Sequence, residues 1–424
     1  MMKTETLSYG AWSSGIHGRA RGRRLPINAT LEVTHRCPLA CAHCYNNLPV
    51  GDRDARAREL STDELRSVID GLADAGALWL LFTGGEIFAR ADFLELYKHA
   101  KGRGFLITLF TNATQITEAI ADTLVEWPPF AVEITLYGRT RETYERVTGV
   151  PGSYDRCIRG IRLLKERGVP LSLKTVALSL NHHEIGDMQR FAEDELGVGF
   201  KFDGMINARI DCSQSPLSVR LAPAELVALD LDDPRRAGEW AKLVGPAAGP
   251  AATTASTTLY NCGGGTSAVA VDPEGKMRIC VLSQRDGVDV RAGSVEAAWQ
   301  ELAEVRARPV TRATKCTTCR LRQICSTCAA TSDLEHGDAE APVDYFCEVA
   351  HLRALAVGVE PPRHGDCAFC EGGSEHPRLL RALETVRAAR PARGRSLPVV
   401  REDAETSGRG TSCGSGCDAC GSAR

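Results

Sequence analysis

Cys37, Cys41 and Cys44 stand in C-x3-C-x2-C spacing just after a short apolar run. Thiolates this close on one loop can converge on a single small centre, and a four-iron cubane takes four cysteines for full ligation. Three cysteines therefore leave one iron open to another ligand, by the logic that keeps a position free in catalytic zinc sites. A second group reads Cys262, Cys280, Cys316-x2-Cys319-x5-Cys325-x2-Cys328 and Cys347. Its C-x2-C pairs suit either iron–sulfur or zinc ligation. Between the two groups lies Thr83-Gly84-Gly85-Glu86. Its glycines permit a close backbone approach, and its carboxylate can receive an ammonium group.

Seventeen cysteines in 424 residues bias the chain, so spacing alone is weak evidence. The C-x3-C-x2-C pattern arises by chance about 0.03 times in such a composition, yet Cys413, Cys417 and Cys420 match it again. Context separates the two, because the first follows a strand pattern and the second sits among Gly and Ser. The remaining bulk properties are ordinary: 43% hydrophobic, 25% charged and a formal charge of −3. They give no reason to expect a nucleic-acid partner or an anionic membrane. No apolar run is long enough to span a bilayer, and Met1–Ile16 lacks the order of a secretory signal. A cytoplasmic protein is expected, where disulfides seldom persist and clustered cysteines hold metal.

The elements that must position these residues alternate along the chain. Strands are expected at 29–33, 78–82, 106–110, 131–136, 171–176 and 200–205, with helices at 62–75, 92–102, 118–126, 154–167 and 184–196. Six strand–helix repeats predict a parallel sheet with helices outside, able to curl into a full or partial barrel with ligands at the strands' carboxyl ends. The expected fold class is α/β, a partial (β/α)6 barrel followed by a Cys-rich auxiliary cluster domain of small α+β type. The expected organisation is a loose N-terminal extension (1–27), a core (28–215), a bridging helix and linker (216–258), the cluster domain (259–355) and a partly flexible, Cys-containing tail (356–424). Cys157 and Cys212 are expected in the core as small hydrophobes. In the tail, Cys367 and Cys370 follow His364 and precede His376. The tail reads as a flexible appendage, a further metal site or completion of a neighbouring cluster, or a redox arm.

Over roughly residues 28–350 the sequence resembles the radical S-adenosylmethionine (SAM) superfamily, whose signature is matched in full at Cys37, Cys41 and Cys44. The resemblance implies that these cysteines hold a [4Fe-4S] cluster whose open iron is chelated by SAM. Reductive cleavage then yields a 5′-deoxyadenosyl radical that abstracts a substrate hydrogen. It also implies that Gly84, Gly85 and Glu86 meet the SAM amino group, although Ile87 stands where the motif often has proline. His43 is implied against the adenine, and Asn112 and Thr135 near SAM or substrate. The second cysteine group resembles the SPASM domain, departing from it by two residues rather than three between Cys325 and Cys328. By that resemblance Cys262, Cys280 and Cys328 hold a first auxiliary [4Fe-4S] cluster, and Cys316, Cys319, Cys325 and Cys347 a second.

SPASM relatives commonly oxidise or cross-link peptide or protein side chains, so a maturase of a ribosomally made peptide is expected. Its partners would be the peptide, a separate leader-binding protein (only 36 residues precede Cys37) and a reductant such as flavodoxin or ferredoxin. Sulfatase-modifying relatives place aspartate directly after the second SPASM cysteine, where this chain has Val281. Two alternatives stay open: modification of a small molecule or tetrapyrrole, and a non-catalytic iron–sulfur or zinc protein in electron transfer or regulation.

Overall fold

The computed structural model describes residues 8–20, 22–244 and 257–389. The chain opens with a helix, α1 (Tyr9–Ala20), where a loose extension was expected. Its sequence carries little amphipathic signal. It is held by aromatic contacts: Trp12 and His17 pack on Trp79, and the Trp79 indole donates to the Tyr9 hydroxyl at 2.9 Å. Then follow β1 (Asn28–Glu32), β2 (Arg36–Cys37), β3 (Leu48–Pro49), α2 (Arg53–Arg58), α3 (Thr62–Asp74), β4 (Trp79–Thr83), α4 (Phe93–Gly102), β5 (Leu106–Thr111), α5 (Glu118–Glu126) and β6 (Ala131–Thr135). Two helices, α6 (Arg141–Thr148) and α7 (Ser153–Glu166), lead to β7 (Leu171–Val176). The helix α8 (Ile185–Arg190) runs on as a π-helical turn, Phe191–Glu195, before β8 (Phe200–Asp203).

Local chemistry explains the helix starts. Ser61 caps α3 in a capping box, its hydroxyl accepting from the Glu64 N–H while the Glu64 carboxylate accepts from the Ser61 N–H at 2.7 Å. The reciprocal pair satisfies two donors that a helix start leaves open. Thr117 and Thr140 cap α5 and α6 in the simpler way.

After β8 come α9 (Pro223–Asp232) and α10 (Pro234–Val244), then β9 (Ala268–Val271), β10 (Lys276–Arg278), β11 (Val288–Asp289), α11 (Val295–Ala307), α12 (Ala329–His336), α13 (Asp344–Ala356) and α14 (His376–Ala388). The main sheet has the order β11-β10-β9-β1-β4-β5-β6-β7-β8. The strands β1 and β4 to β8 are parallel and lie side by side in chain order, the arrangement of a partial barrel. β9 pairs in parallel with the free edge of β1, so the Cys-rich segment begins as an extension of the core sheet.

The register assigns each strand residue to a face. Leu31, Leu80, Phe82, Ile107, Leu109, Val132, Ile134 and Leu173 share one face and are at most 1% exposed. Burying each contributes about 1.5–3 kcal/mol. The other face carries Thr30, Glu32, Thr108, Phe110, Glu133, Thr135, Lys174 and Lys201. One side of this sheet is core, and the other is polar.

Candidate active site

The three N-terminal cysteines lie on the loop that leaves the carboxyl end of β1, and buried polar groups hold that loop from behind. The Arg36 guanidinium grips Glu59 through two bonds of 2.8 and 3.0 Å, and the Thr34 hydroxyl donates to the same carboxylate. Arg90 donates to the Val33 and Leu60 carbonyls and pairs with Asp92. Gly85 N–H donates to the Thr34 carbonyl at 2.7 Å and Glu86 N–H to that of Arg36 at 3.1 Å. A Cβ at Gly84 would lie 2.2 Å from the Thr34 oxygen, and one at Gly85 2.5 Å from the Arg36 oxygen. Gly84 also has φ +131°, which side-chain-bearing residues rarely adopt. The close approach that requires these glycines is thus to the chain's own cysteine loop. From the other side, Arg209 after β8 donates to the Cys44 carbonyl and to the Asn47 side-chain and backbone oxygens.

The cysteines form one electrostatic group. Burial raises the Cys41 pKa well above the usual thiol value, and the charges of Cys44 and Cys37 raise it further. Burial and Glu86 push Cys37 up to about 12, although the Leu39 N–H at 3.4 Å and the Asn112 amide at 3.6 Å both donate to its sulfur. Three adjacent thiols, Cys37 buried and Cys41 and Cys44 partly so, cannot all ionise unaided; a cationic centre would supply the missing charge. Beside them the Nδ1 of His43 is shielded from solvent without a hydrogen-bond partner among the described residues, and burial lowers its pKa to about 4. Its ring lies 5.1 Å from that of Tyr137. Three convergent thiols with N–H donors aimed at one sulfur, next to an orphaned imidazole nitrogen, fit an iron–sulfur centre and a bound cofactor.

Glu86 is 1% exposed and ties the ends of β4 and β5 together. Its carboxylate accepts from the Thr111 hydroxyl at 2.7 Å, the Asn112 N–H at 2.8 Å and the Phe88 N–H at 3.3 Å. Burial nevertheless raises its pKa to about 6. A carboxylate has about four acceptor sites, so one remains for an incoming cation. Asn112 is buried, with its side-chain oxygen engaged by Thr114 and its amide on Cys37. Thr135 ends β6 on the polar face, half-buried.

Several residues here escape sequence reasoning. Glu32, 2% exposed on the polar face, accepts from the Tyr45 hydroxyl at 3.0 Å and the Asn46 amide at 2.7 Å. Burial, then the charge of Glu32, raises the Tyr45 pKa well above the usual phenol value, with Cys44 and Cys280 adding to it. Deeper on the same face Glu133 pairs with Lys174 at 3.3 Å and Lys201 at 2.8 Å. Strict alternation in β6 and β7 is the signal that would have exposed these charges.

The second cysteine group also converges. Burial, then the charges of Cys328 and Cys262, push Cys280 up to about 12. Cys325 has Cys319 and Cys316 as charged neighbours, and Cys316 shares a hydrogen bond with Cys347 on α13. Cys157 is fully buried beneath Tyr144. Cys212, expected in the core, is exposed with φ +66° on the loop after β8, a turn that no hydrophobic pattern marks. Cys413, Cys417 and Cys420 lie outside the described residues.

Residues 31–192 match the radical SAM superfamily. The PqqA peptide cyclase of Bradyrhizobium diazoefficiens is 34% identical over 170 residues, 40% of this chain and 44% of that protein. The AdoMet-dependent heme synthase of Oleidesulfovibrio alaskensis is 33% identical over 163 residues, 38% of this chain and 41% of that protein. The chain thus spans less than half the length of these curated relatives. In fold it is similar to Streptococcus suis SuiB bound to its precursor peptide SuiA, with a TM-score of 0.60 and 16% identity over 82% of this chain and 83% of that one. It is also similar to anSMEcpe with bound AdoMet, at TM-score 0.55 and 14% identity over 85% and 100% of the two chains. Residues 31–192, which hold Cys37, Cys41, Cys44 and Glu86, thus form a radical SAM domain.

Proposed function

We propose that the chain is a SPASM-type radical SAM enzyme, cytoplasmic, that oxidises or cross-links a side chain of a ribosomally made peptide or a protein. One observation carries the reading. Cys37, Cys41, Cys44 and Glu86 gather at the carboxyl ends of β1 and β4, with two further cysteine sets in the same chain. When bound, a four-iron cluster with SAM supplies reductive carbon–sulfur cleavage and a 5′-deoxyadenosyl radical that takes a substrate hydrogen. The protein's share is placement. Cys37, Cys41 and Cys44 hold the cluster, and Glu86 offers its remaining acceptor site to the SAM ammonium. Gly84 and Gly85 let the cysteine loop sit against β4. His43, Asn112 and Thr135 line the space beside them, with His43 neutral near pH 7 because its pKa is lowered to about 4 by burial.

The auxiliary sets, Cys262, Cys280, Cys328 and Cys316, Cys319, Cys325, Cys347, would hold [4Fe-4S] clusters that accept an electron after hydrogen abstraction. Peptide is favoured as substrate because the PqqA peptide cyclases and the SuiA-bound structure are among the chain's relatives. This reading includes a leader-binding protein and a flavodoxin or ferredoxin as reductant.

Anaerobically reconstituted, reduced protein should convert SAM to 5′-deoxyadenosine. Given its peptide, it should release a product lighter by the mass of two hydrogens, or linked between side chains. Absence of 5′-deoxyadenosine from fully iron-loaded protein would leave only an electron-transfer or regulatory role. Turnover of a tetrapyrrole in place of any peptide would overturn the substrate class.

A further inference from the structure

Beyond the cysteine sets already described, four buried side chains from two segments meet at the C-terminal end of the described chain. They are His351 on α13 and His364, Cys367 and Cys370 on the loop before α14, between 1% and 6% exposed. Their ligand atoms all lie within 4.8 Å of one another. We propose that these residues form a closed, four-coordinate Cys2His2 metal site of the structural zinc class, separate from the iron–sulfur clusters.

The donor distances carry the proposal. Zinc takes thiolates at about 2.3 Å and imidazole nitrogens at about 2.0–2.1 Å in a tetrahedron. Those bond lengths give sulfur–nitrogen edges of about 3.6 Å. The His351 Nε2 lies 3.7 Å from the Cys367 sulfur and 3.5 Å from that of Cys370, and the His364 Nδ1 lies 3.3 Å from the Cys370 sulfur and 3.1 Å from the Pro362 carbonyl, a contact that nitrogen gives up when it loses its proton to ligate. These are edges of one small tetrahedron. Four donors so close, two of them imidazoles, suit a single ion.

The surroundings are built for ligation as well. The His351 Nδ1–H donates to the Cys347 carbonyl at 2.7 Å. A backbone carbonyl at Nδ1 fixes that proton there and leaves Nε2 as a lone pair facing the sulfurs, the usual outer-shell arrangement for a metal-binding histidine. The Cys367–Cys370 segment turns tightly, with Cys370 N–H to the Cys367 carbonyl and Gly373 N–H to that of Cys370 at 2.8 Å. A Cβ at Gly373 would sit 2.3 Å from the Ala368 oxygen, so the turn depends on that glycine. Phe369, 3% exposed, covers the His351 ring. All four positions are filled by protein, and no open coordination site remains for catalysis.

The role follows from the helix it grips. α13 carries Cys347 one turn before His351, and His364 also reaches the Cys319 thiol. A metal here pins the loop at 364–370 against the second auxiliary set. It acts together with the Arg378–Glu348 pair, at 3.0 and 2.8 Å, which joins α14 to α13.

The experiment is elemental analysis of the full chain, isolated anaerobically, as wild type and as Cys367→Ser/Cys370→Ser. About one zinc per chain in the wild type, lost in the variant while iron is unchanged, is the expected result. A wild type with full iron and no zinc overturns the site, as does a variant that loses about four iron, because the cysteines would then belong to a cluster. Should the variant fail to fold, zinc-edge X-ray absorption of the wild type decides the matter. Two sulfurs near 2.3 Å and two nitrogens near 2.0 Å are expected, whereas an all-oxygen or four-sulfur shell refutes the assignment.

Discussion

Replacing Glu86 by Gln should pull protein stability and cofactor affinity in opposite directions. In the folded chain burial raises the Glu86 pKa from 4.5 to about 6. Near neutral pH the fold therefore carries a charged group it disfavours by about 2 kcal/mol. The sign is that of a raised carboxylate pKa. The contribution to stability is fully present below about 4.5 and is lost as pH rises through about 6. Gln removes the charge. Its carbonyl can still accept from Asn112 N–H, and its amide can donate to the Thr111 hydroxyl, but the Phe88 N–H loses a charged acceptor. That loss costs about 1 kcal/mol. The variant without cofactor should thus be as stable as the wild type, or more stable by about 1 kcal/mol. An ammonium bonded to the carboxylate is worth roughly 1.5–3 kcal/mol, so SAM affinity should fall about ten- to a hundredfold. Denaturant melts and equilibrium SAM binding at constant iron read the two effects. If affinity and stability fall together, Glu86 is a structural tie between β4 and β5 and no more. If affinity is unchanged, the ammonium site lies elsewhere.

Replacing Cys37, Cys41 and Cys44 together by Ala should remove about one third of roughly 12 iron atoms and all 5′-deoxyadenosine formation; retained cleavage sinks the catalytic assignment. Asp230, fully buried between α9 and α13, is held by Arg353 at 2.7 Å and Arg236 at 2.5 Å. Asp230→Ala strands the buried Arg353 and should destabilise the chain by about 3–5 kcal/mol in urea; a loss under about 1 kcal/mol would contradict this. Burial and Lys201 hold the Lys174 pKa down to about 7 from 10.5, against the pull of Glu133 and Asp203. Between those values the unfolded chain binds the extra proton, so stability should rise with pH from about 7 toward 10.5. Lys174→Met should flatten that rise, and an unchanged slope in the variant would show that another group titrates.

What the sequence determined by itself was local and periodic. Strand positions follow from short apolar runs: 171–176 was expected and Leu171–Val176 observed, and the helix Glu118–Glu126 coincides with its expected span. The Cys37, Cys41, Cys44 spacing was legible because one loop carries all three cysteines. The grouping of the later cysteines came from family resemblance alone; Cys280 has Cys328 and Cys262, and Cys325 has Cys319 and Cys316, among its charged neighbours. Only the tertiary structure decided what depends on residues distant in sequence. α1 forms because Trp79 and Phe130 lie across from it, which no periodicity in 9–20 announces. The glycines of the Gly-Gly-Glu motif are required by the Thr34 and Arg36 carbonyls some fifty residues earlier. The charges Glu133, Lys174 and Lys201 meet because parallel register puts them on one face. His351, which carries no motif, becomes a partner of Cys367 and Cys370 because α13 turns its Nε2 toward a loop that is remote along the chain. Side-chain chemistry is written residue by residue, whereas a site is a matter of which residues the packing of the sheet and helices brings within a few ångströms.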